Sequence, residues 1–425
     1  MSSLLIYGAR QLLTLHGPSG PRRGTQMRDL GIIQDGAILI VDGRIREAGP
    51  SRRVENLAAA RAATRVIDAS GRVVMPGFVD SNTHLVCGPL RMTDYEMRIA
   101  GSSDKQIDEA GGGLRWTVRA VRAAVTRRLF LDTQKTLRKF YRHGTTTLEA
   151  KSGYGLDESS EIKSLKIIQS LNGTRHDIVP TYLGAHFLPD EFAGRAEEYV
   201  EWMCRVMLPL IHRRKLASFV DISCSDGDFS PRLVREYLQC ARSHGFQIKL
   251  QAEAYSRMGF VPLAIELGAI GIDRLEHANQ EDAAMLANSG IIATLLPGPV
   301  YHRTLGRYAP ARMLIDSGAA VALATGFNPG LCPTISMAMI LSLACTKMHM
   351  SPAETVTAAT VNGAYALNRG ASTGSLEVGK AGDAVVFDVS DYREIPYHFG
   401  VNLVHTVVKK GEILFEQKEP DWKDD

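Results

Sequence analysis

Short apolar runs alternate with helical patterns between about residues 73 and 370, and this alternation restricts the possible folds more than any other feature. The runs are typical of buried parallel strands and lie at 76–82, 145–151, 178–185, 218–224, 246–252, 271–276, 291–297 and 319–325. Segments between them, such as SSEIKSLKIIQSL, SPRLVREYLQCARSHG, VPLAIELGA and EDAAMLANSG, predict helices that end near Gly or a basic residue. Eight such strands predict a (β/α)8 barrel of the TIM type. A doubly wound sheet is the alternative, but no GxGxxG motif follows a strand.

Both ends of the chain predict β structure. Strand-like runs with Gly-centred turns occur in GAILIVDGRIREAG near the start and in GSLEVGKAGDAVVFDV near the end. Because the two ends of a domain usually lie close together, a larger unit can be inserted between them. We therefore expect residues 1–72 and 371–425 to form one composite β-sandwich domain, with the barrel formed by residues 73–370.

The composition argues against several classes of partner. A net charge of +3 without a long Lys/Arg run does not favour nucleic acid. The chain has no run of about 18 apolar residues and no signal peptide at its start, so no membrane partner is expected. Its six cysteines lack CxxC spacing and fit free thiols in a reducing compartment. We expect a cytoplasmic protein whose partner is a small-molecule substrate.

The active site of a (β/α)8 barrel lies at the C-terminal ends of its strands. Applied to the predicted strands, this rule selects a set of polar residues and glycines. They are Asn82, His84, Lys151, Tyr154, His186, Gln251, Glu253, His277, Gly326, Asn328 and Gly330. The imidazoles and the carboxylate among them are groups that donate and accept protons in enzymes.

Eight segments occur in an order that resembles the imidazolonepropionase family of the amidohydrolase superfamily. They are PGFVDSNTHLV, EAGGGLRWTV, HGTTTLEAKSGYGLD, TYLGAHFLP, LATGFNPG, TVNGAYAL, GSLEVGKAGDAVV and IPYHFGVN, and together they span nearly the whole chain. The resemblance implies an enzyme that opens a C–N bond of a cyclic amide. It also implies a barrel with one catalytic zinc or iron ion, a β-sandwich built from both termini, and a homodimer.

The metal positions that the resemblance implies are mostly substituted. They are occupied by Asn82, His84, Gln251 and Gly326, and only His84 is a good ligand for such an ion. The family's Asp at the position of Gly326 also accepts the proton of the metal-bound water, so a base is missing as well. We therefore expect no metal cofactor, with zinc or iron as the alternative only if the site is unorthodox.

The substrate pocket that the resemblance implies is better preserved. Arg91 matches the residue that holds the substrate carboxylate, a task that suits a guanidinium; its alternative is an ion pair with Asp94 or Glu96. The other matching substrate contacts are Tyr154, His186, Asn328 and Gly330. Asp104 replaces a substrate-facing Tyr, and Ala254 replaces a Glu. The expected substrate is a small ring with a carboxylate, different from the family's own.

Three readings of the function remain open at this point. In the first, His277, His186 and Glu253 transfer protons without a metal, in ring isomerisation, cyclisation, hydration or dehydration. In the second, a metal-dependent hydrolase uses an atypical site. In the third, a non-catalytic protein binds such a metabolite. For Glu253 an orienting role beside a His is equally possible, and Lys151 is interpreted as an ion-pairing or packing residue.

Overall fold

Eight parallel strands form one sheet in the computed structural model, which describes residues 2–173, 176–224 and 227–417. The strands follow one another around the sheet in chain order. They are Phe78–Asp80, Thr145–Lys151, Asp177–Ala185, Phe219–Ser223, Gln247–Ala252, Gly271–Arg274, Ile292–Leu295 and Ala320–Leu323. Each falls within or close to a run that the sequence predicts as a strand, so the predicted barrel is confirmed.

The sheet closes where the segment after the first strand meets the segment after the eighth. Thr83 pairs with Phe327 in a parallel bridge. The amide of Gly326 donates to the carbonyl of Asn82 over 3.1 Å, and the amide of His84 donates to the carbonyl of Phe327 over 2.7 Å. Because these bonds lie at the barrel mouth, they hold three of the implied metal positions, Asn82, His84 and Gly326, in place.

A buried carboxyl group reinforces the same junction. Asp80 accepts hydrogen bonds from the amide of Thr325, at 3.1 Å, and from its hydroxyl, at 2.6 Å. Burial raises the pKa of Asp80 to about 7, although the hydrogen bonds from Thr325 act in the opposite direction. The first and eighth strands are therefore joined by side chains as well as by backbone.

Helices connect the barrel strands and cover the outside of the sheet. The four quoted helical patterns correspond to Glu158–Leu171, Pro231–Ser243, Phe260–Glu266 and Gln280–Ala287. Side chains of Asp157, Ser230 and Asn279 cap three of these helices at the N-terminus. Further helices are Met92–Ile99, Asp104–Glu109, Gly113–Ala123, Thr126–Arg142, Ala196–Trp202, Leu208–Arg213, Pro297–His302, Ala311–Asp316, Met337–Met348, Pro352–Thr357 and Gly363–Ala366.

Strands from both ends of the chain form a second, mixed sheet, which confirms the predicted small domain of terminal strands. Its path runs Glu412–Glu416, Val404–Lys409, Ala384–Phe387, Val73–Pro76, Ser3–Leu13, Ile32–Val41 and Arg44–Pro50, with Arg65–Asp68 paired beside Ser3–Leu13. The predicted boundary between residues 72 and 73 would separate Val73–Pro76 from its sheet partners. The last residues of the predicted domain, 418–425, lie outside the described residues.

No helix within the described part of the chain has both the length and the hydropathy needed to cross a bilayer. The cytoplasmic location and the homodimer remain predictions.

Candidate active site

Two adjoining cavities open at the C-terminal end of the barrel. The inner cavity is lined by Asn82, His84, Leu114, Tyr154, His186, Ser223, Gln251, Tyr255, Arg274, Leu296, Pro299, Gly326, Asn328 and Leu331. The outer cavity is lined by Arg91, Arg98, Asp104, Ile107, Asp108, Gly113, Leu114, Arg115, Phe187, Asp228, Tyr255, Arg303 and Leu331. Three residues, Leu114, Tyr255 and Leu331, belong to both, so a ligand of moderate size can extend from one cavity into the other.

An aromatic cluster forms one wall of the inner cavity. The rings of His84 and His186 are stacked with centroids 5.1 Å apart, and Tyr154 lies 4.9 Å from His84 and 5.3 Å from His186. Burial lowers the pKa of His186 to about 4, and it lowers the pKa of His84 well below the usual range. Both imidazoles are therefore neutral at physiological pH, and the cluster offers a flat surface to a ring.

The tautomer of His186 follows from its hydrogen bond. Its Nδ1 lies 2.9 Å from the carbonyl oxygen of Gly153. Since a carbonyl only accepts, Nδ1 of the neutral ring must carry the proton. This leaves Nε2 with a lone pair, as a base requires. The Nδ1 atom of His84, by contrast, is buried and has no hydrogen-bond partner among the described residues.

The two amide side chains at implied metal positions donate hydrogen bonds to buried carboxylates. Nδ2 of Asn82 lies 2.6 Å from Oδ2 of Asp273, and Nε2 of Gln251 lies 3.1 Å from Oδ2 of Asp221. Both carboxylates are fully buried beneath the cavity floor. The amides thus cap a group of charged residues that fills the barrel.

This group, the buried charge network, consists of Glu149, Lys151, Asp221, Lys249 and Asp273. Nζ of Lys151 lies 2.6 Å from Asp221, 2.9 Å from Glu149 and 3.6 Å from Asp273. Nζ of Lys249 lies 3.1 Å from Glu149 and 3.3 Å from Asp273. The interpretation of Lys151 as an ion-pairing residue is therefore confirmed. Two ammonium groups already compensate most of the charge of three carboxylates.

The residues present do not fit the zinc or iron ion that the resemblance implies. The four positions offer one imidazole, two amides engaged with carboxylates, and a glycine. In the described ranges, no three or more His, Cys, Asp and Glu side chains are arranged to hold a metal ion. A dication prefers anionic or imidazole ligands, which this set largely lacks.

Gly326 also has no room for the ligand it replaces. Its φ is +64°, and a Cβ atom there would lie 2.9 Å from Cγ of Pro299, closer than real Cβ contacts. We expect Gly326→Asp to lower the free energy of unfolding by about 1–3 kcal/mol through overpacking and backbone strain. Urea denaturation measures this loss.

Two further variants separate the clash from the strain. Gly400 has a φ of +80°, and no heavy atom lies within 4 Å of the point that a Cβ would occupy there, so Gly400→Asp carries the strain alone. Adding Pro299→Ala to Gly326→Asp should recover part of the stability. Equal losses for Gly326→Asp and Gly400→Asp would contradict the steric explanation.

Arg91 lies in the outer cavity as a buried guanidinium that is only partly paired. Nη1 lies 3.3 Å from Asp94, whereas Nε and Nη2 have no hydrogen-bond partner among the described residues. The guanidinium packs directly against Gly330, where a Cβ would lie 1.8 Å from Nε and 1.9 Å from Nη2. The ion pair with Asp94 therefore occupies only one edge of the guanidinium. The guanidinium fits beside residue 330 because Gly330 has no side chain.

Asp104 sits at the rim of the outer cavity and bridges two arginines. Its carboxylate lies 3.4 Å from Arg98 and forms a closer ion pair with Arg303. Arg303 also donates to the hydroxyl of Tyr255. Because Asp104 is engaged in this way, it is placed to shape the mouth of the cavity.

Asn328 lines the inner cavity, but its side chain shapes the loop after the eighth strand. Its Oδ1 accepts the amides of Gly330, at 3.1 Å, and Leu331, at 2.6 Å, and its Nδ2 donates to the carbonyl of Gly326 over 3.0 Å. Its direct role is thus to position the loop that holds Gly330 against Arg91.

The structure does not bring Glu253 and His277 into the site. The carboxylate of Glu253 is buried and accepts the amides of Met258, at 2.6 Å, and Phe260, at 2.7 Å, which holds the loop after the fifth strand. The amide of His277 donates to the carbonyl of Glu253, and neither residue lines either cavity. The geometry therefore gives no support to their expected role in proton transfer.

Arg274 is a cavity residue that the sequence reasoning missed. The sixth strand ends at Arg274 rather than at the predicted residue 276, so the residue at its C-terminal end is the arginine. The same barrel rule would have selected it had the strand been ended two residues earlier. Two further cavity residues were missed because neither lies at a predicted strand end. Tyr255 lies in the loop after the fifth strand, and Leu114 lies in the first turn of the helix Gly113–Ala123.

Comparisons with known proteins agree with this architecture. The sequence profile of the amidohydrolase family matches residues 225–414. An imidazolonepropionase of Solibacter usitatus is 44% identical over 98% of this chain and 100% of its own length. An imidazolonepropionase of Geobacillus kaustophilus is 42% identical over 97% of this chain and 98% of its own length.

Solved structures of lower identity share the fold. An adenosine deaminase from Xanthomonas campestris with bound zinc has a TM-score of 0.67 at 18% identity and covers 100% of this chain and 95% of its own. A triazine hydrolase from Arthobacter aurescens has a TM-score of 0.67 at 17% identity, with coverages of 100% and 97%. At this identity the likeness shows the fold alone.

Proposed function

Because the chain belongs to the imidazolonepropionase family of the amidohydrolase superfamily, we propose that it is an enzyme acting on a small cyclic amide with a carboxylate side chain. The imidazolone propionates are such compounds. The observation that carries the proposal is the buried guanidinium of Arg91, with two donors that meet no partner among the described residues. A ligand carboxylate would satisfy both donors in one bidentate pair.

The position of the ring follows from the adjoining cavities. With its carboxylate at Arg91, a ligand would extend past Leu114 and Tyr255 into the inner cavity. There its ring would lie against the aromatic cluster of His84, Tyr154 and His186. Flat unsaturated rings pack favourably on such surfaces.

We propose proton transfer through His186 as the chemistry. A proton leaves a ring atom next to the carbonyl group for Nε2 of His186, the electron pair of that bond stays on the ring, and the proton returns to a different ring atom. The ring is isomerised, and no co-reactant is consumed. Hydration and dehydration of the ring would also add or release one water molecule, and cyclisation would also form a ring bond, but each needs proton transfers of the same kind. The donor set at the implied metal positions supports this metal-independent reading.

A second candidate is metal-dependent opening of a C–N bond in an imidazolone or hydantoin ring. The names of the relatives favour it, and so does Nδ1 of His84, a buried imidazole nitrogen without a hydrogen-bond partner among the described residues. Only His84 is a good ligand at the four implied positions, so such a site would need further ligands.

Incubation with an imidazolone propionate in D2O, followed by proton NMR, tests the proposal. We expect deuterium at ring carbon positions and an isomerised product, at a rate that a chelator leaves unchanged. His186→Gln should lower this rate about 100-fold, because it removes the base. His212→Gln, a change of the same kind at an exposed position of the helix Leu208–Arg213, should not affect it.

The metal-dependent hydrolase and the non-catalytic binding protein predict different results in this experiment. Ring opening that a chelator abolishes would support the metal-dependent hydrolase. Saturable binding without any exchange or turnover would indicate a non-catalytic binding protein. Either result would overturn the proposed proton transfer through His186.

A further inference from the structure

We propose that Arg274 stabilises the negative charge that develops on the ring of the bound ligand, and so performs a task that a metal ion performs in metal-dependent hydrolases. This inference rests on the proposed function and adds a second catalytic residue to it. It assigns to one guanidinium the electrophilic part of the reaction, while His186 carries the proton.

The placement of Arg274 is the first support. The residue ends the sixth strand, where its backbone pairs with Ala252 of the fifth strand. It lines the inner cavity together with His84 and His186. Its guanidinium carbon lies 5.7 Å from the ring centroid of Tyr255, which lines the same cavity. The arginine is thus at the barrel position from which catalytic side chains act.

The charge of the cavity wall is the second support. Among the described residues that line the inner cavity, Arg274 is the one side chain that is permanently cationic. His84 and His186 are neutral because burial lowers the pKa of both. Negative charge on a ring oxygen or nitrogen would therefore be met by the guanidinium, and in a cavity shielded from water that interaction is strong.

The backbone is the third support. Arg274 has a φ of +92° and Leu275 a φ of +67°, so two consecutive residues with side chains adopt the left-handed region. Such strain persists only where the surrounding structure imposes it, and it is concentrated at functional sites. Here the amide of Leu275 donates to the carbonyl of Ala252 over 3.1 Å, which holds the turn.

A neighbouring carboxylate positions the guanidinium. Glu276 lies 2.9 Å from Nε of Arg274 and is almost fully buried. Arg307 in turn donates to the backbone carbonyl of Glu276 over 2.8 Å. A side chain fixed in this way loses little freedom when it binds a ligand, as a preorganised electrophile should.

Calorimetric titration with a hydantoin that carries a propionate side chain tests the inference, because its ring N–H can be ionised. The measurement is made at one pH below and one pH above the pKa of that N–H group. We expect the protein to bind the anionic ring about tenfold more tightly than the neutral ring. Arg274→Gln should abolish this preference and leave affinity for the neutral ring within about threefold.

Two more variants serve as controls. Arg274→Lys keeps the charge and should retain part of the preference. Arg138→Gln removes an exposed guanidinium that lines neither cavity, and it should leave the preference unchanged. Circular dichroism of each variant checks that the fold is intact.

Other titratable groups lie near the Arg274 guanidinium, and the comparison with the control variant separates their effect from that of Arg274. Glu276, Tyr255 and Cys332 lie around Arg274, and burial raises the pKa of the Cys332 thiol to about 12. Across the cavity, burial lowers the pKa of both histidines and raises that of Tyr154. These groups are common to the unchanged protein and to Arg138→Gln.

The outcomes separate this inference from the proposed function. If the unchanged protein does not bind the hydantoin propionate at all, the proposed function is contradicted, and with it the role of Arg274. If it binds, but Arg274→Gln shows the same preference for the anionic ring, only the role of Arg274 is overturned. A loss of affinity that is equal for both ring forms would also overturn it, because that result indicates a purely structural role.

Discussion

Arg91→Gln should weaken the binding of a hydantoin propionate about 1000-fold. Breaking a buried, hydrogen-bonded charge pair costs about 2–5 kcal/mol, and about 4 kcal/mol within that range corresponds to such a factor. The loss is expected to be large because the guanidinium is buried and has two donors without partners among the described residues. Calorimetric titration of both proteins at neutral pH measures the ratio of the dissociation constants.

The second ligand in this experiment is the same hydantoin without its propionate. It cannot reach Arg91 through a carboxylate, so the unchanged protein and Arg91→Gln should bind it with similar, weak affinity. Arg138→Gln on the exposed face of the helix Thr126–Arg142 is the matched protein control. Equal losses for the two ligands would show that Arg91 supports the fold of the cavity instead of binding the carboxylate.

The barrel was predictable because its signal is repeated eight times along the chain. Each apolar run is short enough to be distinguished from a helix, and each is followed by a segment that can cross back over the sheet. The ends of the strands were less predictable. In GIDRLE the apolar residues Ile272 and Leu275 among polar ones predict a strand to residue 276, but the left-handed backbone of Arg274 and Leu275 ends the strand earlier. A strand that ended at residue 276 would have placed His277 at the barrel mouth, where Arg274 lies instead.

The sequence shows which charged residues lie near the site, but it does not show which groups they bind. Glu253 was expected at the barrel mouth and does follow the fifth strand, yet its carboxylate binds the amides of Met258 and Phe260. That contact depends on the conformation of the loop, including Gly259 with its φ of +77°. No local pattern in the sequence indicates whether a carboxylate will face a substrate or its own loop.

The substituted metal positions show the same limit. The sequence indicates that Asn82 and Gln251 are poor ligands, but it does not indicate that their amides donate to Asp273 and Asp221. Nor does it pair Gly326 with Pro299, because those two residues come from different strand ends. The surroundings of each substituted metal position are determined by contacts between segments that are distant in the sequence, and these contacts leave no local sequence pattern.

The buried charge network leads to the largest expected effect on stability. Three carboxylates and two ammonium groups lie inside the barrel with fully buried side chains. Burial alone lowers the pKa of Lys151, but the carboxylates of Asp221, Glu149 and Asp273 outweigh it and raise that pKa above the usual range. The three carboxylates therefore strongly stabilise the charged form of Lys151. The ammonium group of Lys151 in turn stabilises the charged forms of these buried carboxylates.

Lys151→Met should lower the free energy of unfolding by about 3–5 kcal/mol, because it leaves a buried carboxylate without its cation. Urea denaturation measures the change. Lys105→Met removes an exposed ion pair with Glu109 and should cost less than about 0.5 kcal/mol. If Lys151→Met does not fold alone, combining it with Asp221→Asn should restore folding, since the uncompensated charge is then removed. A loss no larger than that of Lys105→Met would mean that water or a counter-ion reaches the network.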